Sequence, residues 1–154
     1  MIIIPIFAKD IPRHECNLWA ACFDEDKNPD TGKYISVFTK LFRLWNDTQY
    51  LMNFFRTNEA LLKTAFWNWA DVDSAVDRVL DEAEDFEDEL KKIEIKAVGY
   101  VNKSLNDIFE NLHTNEFIFR FPENILQRKG KPSYNPPMLR LFAIEIEPGC
   151  FIIC

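Results

Sequence analysis

Between Val72 and Ile93 the apolar positions Val72, Val76, Val79, Ala83, Phe86, Leu90 and Ile93 recur in alternating steps of four and three. Such steps return to one side of an α-helix and predict a long helix with a heptad-like seam over about six turns. Ala75 and Leu80 widen the apolar stripe, while Asp77, Asp81, Glu84, Asp85 and Asp88 crowd the other sides. Lys91, Lys92 and Lys96 follow at the end where the helix dipole favours positive charge. Upstream, Tyr34, Val37, Phe38, Leu41, Phe42, Leu44 and Trp45 have the same helical spacing and predict a helix over about 33–46. Asn46-Asp47-Thr48 breaks it, and Asp47 is placed to cap a second helix carrying Tyr50, Leu51, Phe54 and Phe55. A short helical segment near 58–63 follows, then Phe66, Trp67 and Trp69, read as an aromatic knot that fills the core. A further short helix is expected over about 104–112, with Ser104 as cap and Leu105, Ile108, Phe109 and Leu112 inward.

The two ends of the chain carry a different pattern. Ile2 to Phe7 is a β-branched run interrupted by Pro5, which cannot donate to a ladder, so an edge strand is expected there. Cys16 to Phe23 is a short apolar run that reads as a strand, with Ala20 and Ala21 keeping a helix open. Phe117 to Phe121 reads as extended, and 124–137 reads mostly as loop because of Gly130, Pro132, Pro136 and Pro137. Met138 to Glu147 alternates as a strand, Pro148-Gly149 turns, and Cys150 to Cys154 returns, which makes a terminal β-hairpin. That hairpin's second arm reaches the last residue without polar punctuation, which leaves open that the chain is a truncated form. Together these elements predict one α+β domain over 1–154, mainly helical over 33–112. Its small antiparallel sheet, built from the N-terminal strands and the C-terminal hairpin, packs with several α-helices including one long acidic helix.

Composition narrows the chemistry. At 47% hydrophobic and 28% charged, the 154 residues suit one folded core and not a disordered chain. With only four glycines there is no Gly-Lys-Ser or Gly-x-Gly-x-x-Gly string to cradle phosphates. No apolar stretch approaches the ~20 residues of a membrane span, and Met1 to Ala8 lacks the basic lead of a secretory signal, so a cytoplasmic location is expected. Cys16, Cys22, Cys150 and Cys154 lack metal-knuckle spacing and read as buried, reduced thiols, although an even count leaves disulfides formally open. A calcium loop from Asp24 fails because Pro29 and Ile35 occupy the positions that need Gly and a bidentate Glu. His14 and His113 are the only histidines, and no nucleophile elbow holds a serine, so no metal or other cofactor is expected. The ten acids from Asp71 to Glu89, against Arg78 alone, read as the wet side of a helix that could also mimic nucleic acid or meet a basic partner.

Charge distribution points to one candidate site. The net charge is −7, yet 124–144 holds Arg128, Lys129, Lys131 and Arg140 and no acid, so that +4 leaves −11 for the remainder. With Tyr134, these residues form a candidate phosphate-gripping and RNA-cleaving patch. RNA cleavage needs little more, because the substrate's 2′-hydroxyl attacks while Arg and Lys stabilise charge growing on the phosphate. In this reading Arg140 and Arg128 hold phosphate, Lys129 and Lys131 neutralise charge, and Tyr134 positions a base.

The segment Leu139-Arg140-Leu141-Phe142-Ala143-Ile144-Glu145-Ile146, a turn, and Cys150-Phe151-Ile152-Ile153 resembles the late hairpin of RelE/HigB-like toxins of bacterial toxin–antitoxin systems. In those proteins an arginine-led strand and the strand after it build the core sheet. Phe38-Thr39-Lys40-Leu41-Phe42, then Leu44-Trp45-Asn46-Asp47 and the acidic helix, are similar to a poorly characterised bacterial family with the same ending. The resemblance implies a sheet flanked by helices, metal-independent mRNA cleavage at the ribosome and a neighbouring antitoxin that covers the basic surface. Arg140 alone carries over by motif. Net acidity departs from the basic character usual in such toxins. The other reading is a non-enzymatic interaction protein of a mobile element, whose acidic helix or apolar seam binds a basic protein, or whose residues 72–93 join two copies as a homodimer.

Overall fold

The computed structural model describes residues 1–64, 67–112 and 125–154. The isoleucine run forms β1 (Ile2–Pro5), and the apolar segment behind Cys16 forms β2 (Leu18–Cys22). β2 is a strand and not the competing helix because its backbone is paired on both sides, where five residues of isolated helix would be marginal. Four α-helices follow among the described residues: α1 (Val37–Trp45), α2 (Thr48–Thr57), α3 (Glu59–Leu62) and α4 (Val72–Glu94). Asp47 caps α2 as its spacing predicts, accepting the Tyr50 N–H at 3.0 Å. Asp71 and Ser74 form a reciprocal capping box at the start of α4. α1 begins at Val37, later than the apolar spacing suggests, because the preceding stretch is held extended. There Lys27 bridges Tyr34, and the Ile35 N–H donates to the Asp26 carbonyl at 3.1 Å.

Two expectations in the second half are corrected. The helix expected over about 104–112 is a single 3-10 turn, Leu105–Asp107, followed by β3 (Phe109–Asn111). The stretch expected to be mostly loop contains β4 (Leu126–Gly130). Gly130 is a strand residue here, since an added Cβ would lie 2.6 Å from the Phe109 ring. The missing side chain makes room for that ring, which stacks on Phe151 at 4.8 Å. β5 (Leu141–Glu147) and β6 (Cys150–Ile153) form the terminal hairpin across the Pro148-Gly149 turn. The extended reading of Phe117 to Phe121, and Phe66 and His113, lie outside the described residues.

The result is an α+β fold: a six-stranded sheet in the order β1-β2-β6-β5-β4-β3, antiparallel except for the parallel β2–β6 pair. Leu18, Ala20, Leu141, Ala143, Phe151 and Ile153 point from the sheet into one core with the helices. α4 supplies the other side through Ala75, Val76, Val79, Ala83, Phe86, Leu90 and Ile93, all buried. This corrects the reading of 72–93 as a homodimer contact. The seam is spent on the chain's own core, so it leaves no apolar stripe for a second copy. No described helix is long and apolar enough to cross a membrane. All four cysteines are free thiols; three are buried and Cys154 is exposed.

Candidate functional site

The basic residues proposed for RNA do not all lie on one face of the sheet. In β4, Arg128 is opposite Ala143 and Lys129 is opposite Phe142. Successive strand residues face opposite ways, so Arg128 takes the helix-covered side with Ala143 and Lys129 the other side with Phe142. Arg128 is mostly buried and is engaged by the Glu145 carboxylate and the Asn111 side-chain oxygen. Lys131 pairs with Glu110 at 3.0 Å. The Arg140 guanidinium donates to the Pro137 and Leu139 carbonyls, both at 2.8 Å, and so ties together the lead-in to its own strand. Tyr134 lies against α4: its hydroxyl donates to Asp85 at 2.6 Å and its ring carries the Arg78 guanidinium at 4.2 Å. The Asp85 hydrogen bond, then burial and the nearby charges of Asp85 and Asp81, push its phenol up to about 12. Lys129 has interactions of its own.

The acids of α4 divide into two kinds that the sequence does not distinguish. Glu82 is fully buried. It accepts the Met138 N–H at 2.8 Å, the Leu139 N–H at 3.0 Å and the Arg78 Nε at 2.7 Å. Glu94, near the other end, accepts the backbone N–H groups of Asn17 at 3.0 Å and Leu18 at 3.1 Å. Each carboxylate therefore satisfies two amides where the chain leads into a strand, β5 in one case and β2 in the other. Burial holds the Glu94 carboxyl above its ordinary range, opposed by those amide bonds. Neither residue stands out among the acids of the sequence pattern. The signal was spacing: Glu82 falls between Val79 and Phe86 inside the apolar stripe, and Glu94 is four residues beyond Leu90.

The second kind is exposed. Asp73, Asp77, Asp81 and Glu84 follow one another at steps of four, four and three and are open to solvent. No ion pair joins any of the four to a described residue. Asp88 and Glu89, further along, pair with Lys92 and Lys103. No group of three or more metal-ligating side chains is assembled among the described residues.

A third feature lies beside α4. α2, α3, Trp45, Trp67, Val79 and the Met138-Leu139 segment line an apolar cavity of about 380 Å³ that is open to solvent on one side. The aromatic knot expected in the core is split around it: Trp67 lines the cavity, while Trp69 is 60% exposed. Comparison of the chain with protein-family models, with curated proteins and with solved structures finds no match in any of the three.

Proposed function

We propose that this protein works by binding a basic partner protein through the outer acidic side of α4, without catalysing a reaction of its own. The observation that carries this reading is the row Asp73, Asp77, Asp81 and Glu84, exposed and without a cationic partner among the described residues. A row of like charges on a rigid helix costs self-repulsion, which a basic surface would relieve. Support also comes from the fate of the opposite charges. Arg128 and Lys131 are engaged by carboxylates, and Arg140 by its own backbone. The alternative is a ribosome-acting endoribonuclease toxin with an antitoxin partner, which requires those cations to turn toward one phosphate.

Both readings are addressed by titrating the protein with a lysine-rich amphipathic peptide and with a single-stranded RNA, while message lengths are followed after induced expression. The expected result is peptide binding that weakens with added salt and falls about tenfold in an Asp77→Asn, Asp81→Asn, Glu84→Gln variant, consistent with a few tenths of a kcal/mol per exposed pair. RNA and cellular messages should stay intact. Message cleavage by the wild type that disappears in an Arg140→Ala, Lys129→Ala, Lys131→Ala variant would replace this reading with the endoribonuclease.

A further inference from the structure

We infer that the cavity beside α4 is a binding site for a small, uncharged, aromatic molecule. Among the described residues twelve line it, and none of these is charged, in a chain where 28% of residues are. Five of the twelve are aromatic, against 14% overall. The volume of about 380 Å³ falls within the range of small-molecule pockets, ~300 to 1,000 Å³. A carboxylate or phosphate entering such a lining would lose its hydration with no ion to replace it, so the ligand class is neutral. The rings offer both faces and edges: Tyr50 lies near parallel to Phe54, at 22°, and Phe55 stands at 80° to it. Such surroundings suit another ring better than a flexible aliphatic chain.

The walls are held in place by contacts that owe nothing to a ligand. Met138 and Leu139 form one wall and are fixed by the buried Glu82 carboxylate. The opposite wall is α2, whose Leu51 and Phe55 are buried in the common core. At the mouth, Phe54 and Leu61 remain 48% and 68% exposed, an apolar rim in contact with water. Asn58 is the one amide among the described residues of the lining. One N–H of its side chain donates to the Phe54 carbonyl at 2.8 Å, which leaves a second N–H and the side-chain oxygen as a donor and an acceptor for a ligand.

The site is independent of the acidic side of α4 and is tested separately. N-phenyl-1-naphthylamine, a neutral three-ring probe with one N–H, is titrated into the intact protein alongside 8-anilino-1-naphthalenesulfonate, the same skeleton with an added anionic group. The expected result is one saturable site for the neutral probe, with energy transfer from the tryptophans, and binding of the sulfonate weaker by about tenfold or more. Leu61→Asp and Phe54→Asp, both at the exposed rim, should each weaken the neutral probe by about tenfold or more with an unchanged far-ultraviolet spectrum. No saturation by the neutral probe, equal binding of the sulfonate, or indifference to both rim variants would overturn the inference. So would sedimentation showing a dimer that Phe54→Asp dissociates, because the occupant would then be a second copy.

Discussion

Individual side chains here act through what surrounds them more than through their type. Gly130 reads as a loop residue, yet it lies in β4 because the Phe109 ring occupies the space of its side chain. Phe109 is itself 2% exposed, so shifting its ring would disturb the packed core around it. Gly130→Ala is therefore expected to destabilise the fold by about 1–3 kcal/mol, the cost of overpacking, read from the urea midpoint. A midpoint equal to wild type would show that the ring yields. Glu94 makes the same point for charge. Burial raises its carboxyl pKa in the folded state, so folded protein takes up that proton at a pH where the unfolded chain is still ionised. The resulting stability is complete below the unfolded pKa and is lost as pH rises through the folded one. Glu94→Gln, which keeps an acceptor for the Asn17 and Leu18 amides, removes this dependence. The stability of wild type minus that of the variant should therefore decline from about pH 4 toward neutrality. A flat difference would place the Glu94 pKa at its ordinary value.

Among the elements, α4 does the most to organise the molecule. Its apolar stripe packs on the sheet, while Glu82 and Glu94, about 18 Å apart along the axis, hold the lead-ins of β5 and β2. Removing Glu82 leaves Arg78 and two backbone amides without their acceptor in a buried site. Glu82→Ala is expected to cost about 3–5 kcal/mol in urea unfolding, and Glu82→Gln, which retains an acceptor, distinctly less. Faster amide exchange at Met138 and Leu139 in the alanine variant would assign the loss to this clamp; unchanged exchange there would refute it. The helices α1, α2 and α4 were legible because their stripes and caps are local: Ser36, Asp47 and Asp71 each accept the N–H three residues on. β3 and β4 were not, since a short strand is defined by its partner, and Phe109 opposite Gly130 is a contact between segments distant in sequence.

For the whole molecule, the consequence of an internal seam is measurable. With the stripe of α4 buried in its own core, the thermal midpoint should not change with protein concentration over about a hundredfold range. A midpoint rising with concentration would return this helix to a role between copies. The fold class, the terminal hairpin, the N-terminal edge strand and the long acidic helix followed from the sequence, because hydrophobic periods of two and near 3.6 are set by backbone geometry and need no knowledge of partners. The candidate site did not follow in the same way. Arg128 and Lys129 are neighbours in the chain, but strand alternation sends them to opposite sides of the sheet, and Glu145, seventeen residues on, engages the first. Equally, nothing local separates the buried Glu82 from the exposed Asp81 beside it, and the cavity wall joins Trp45 and Phe54 to Met138 across the fold. Local patterning thus determined which segments are helical or extended and which faces are apolar. Only the tertiary structure decided which charges meet and what space lies between the elements, because Coulombic pairing and enclosure depend on distance through space rather than separation along the chain.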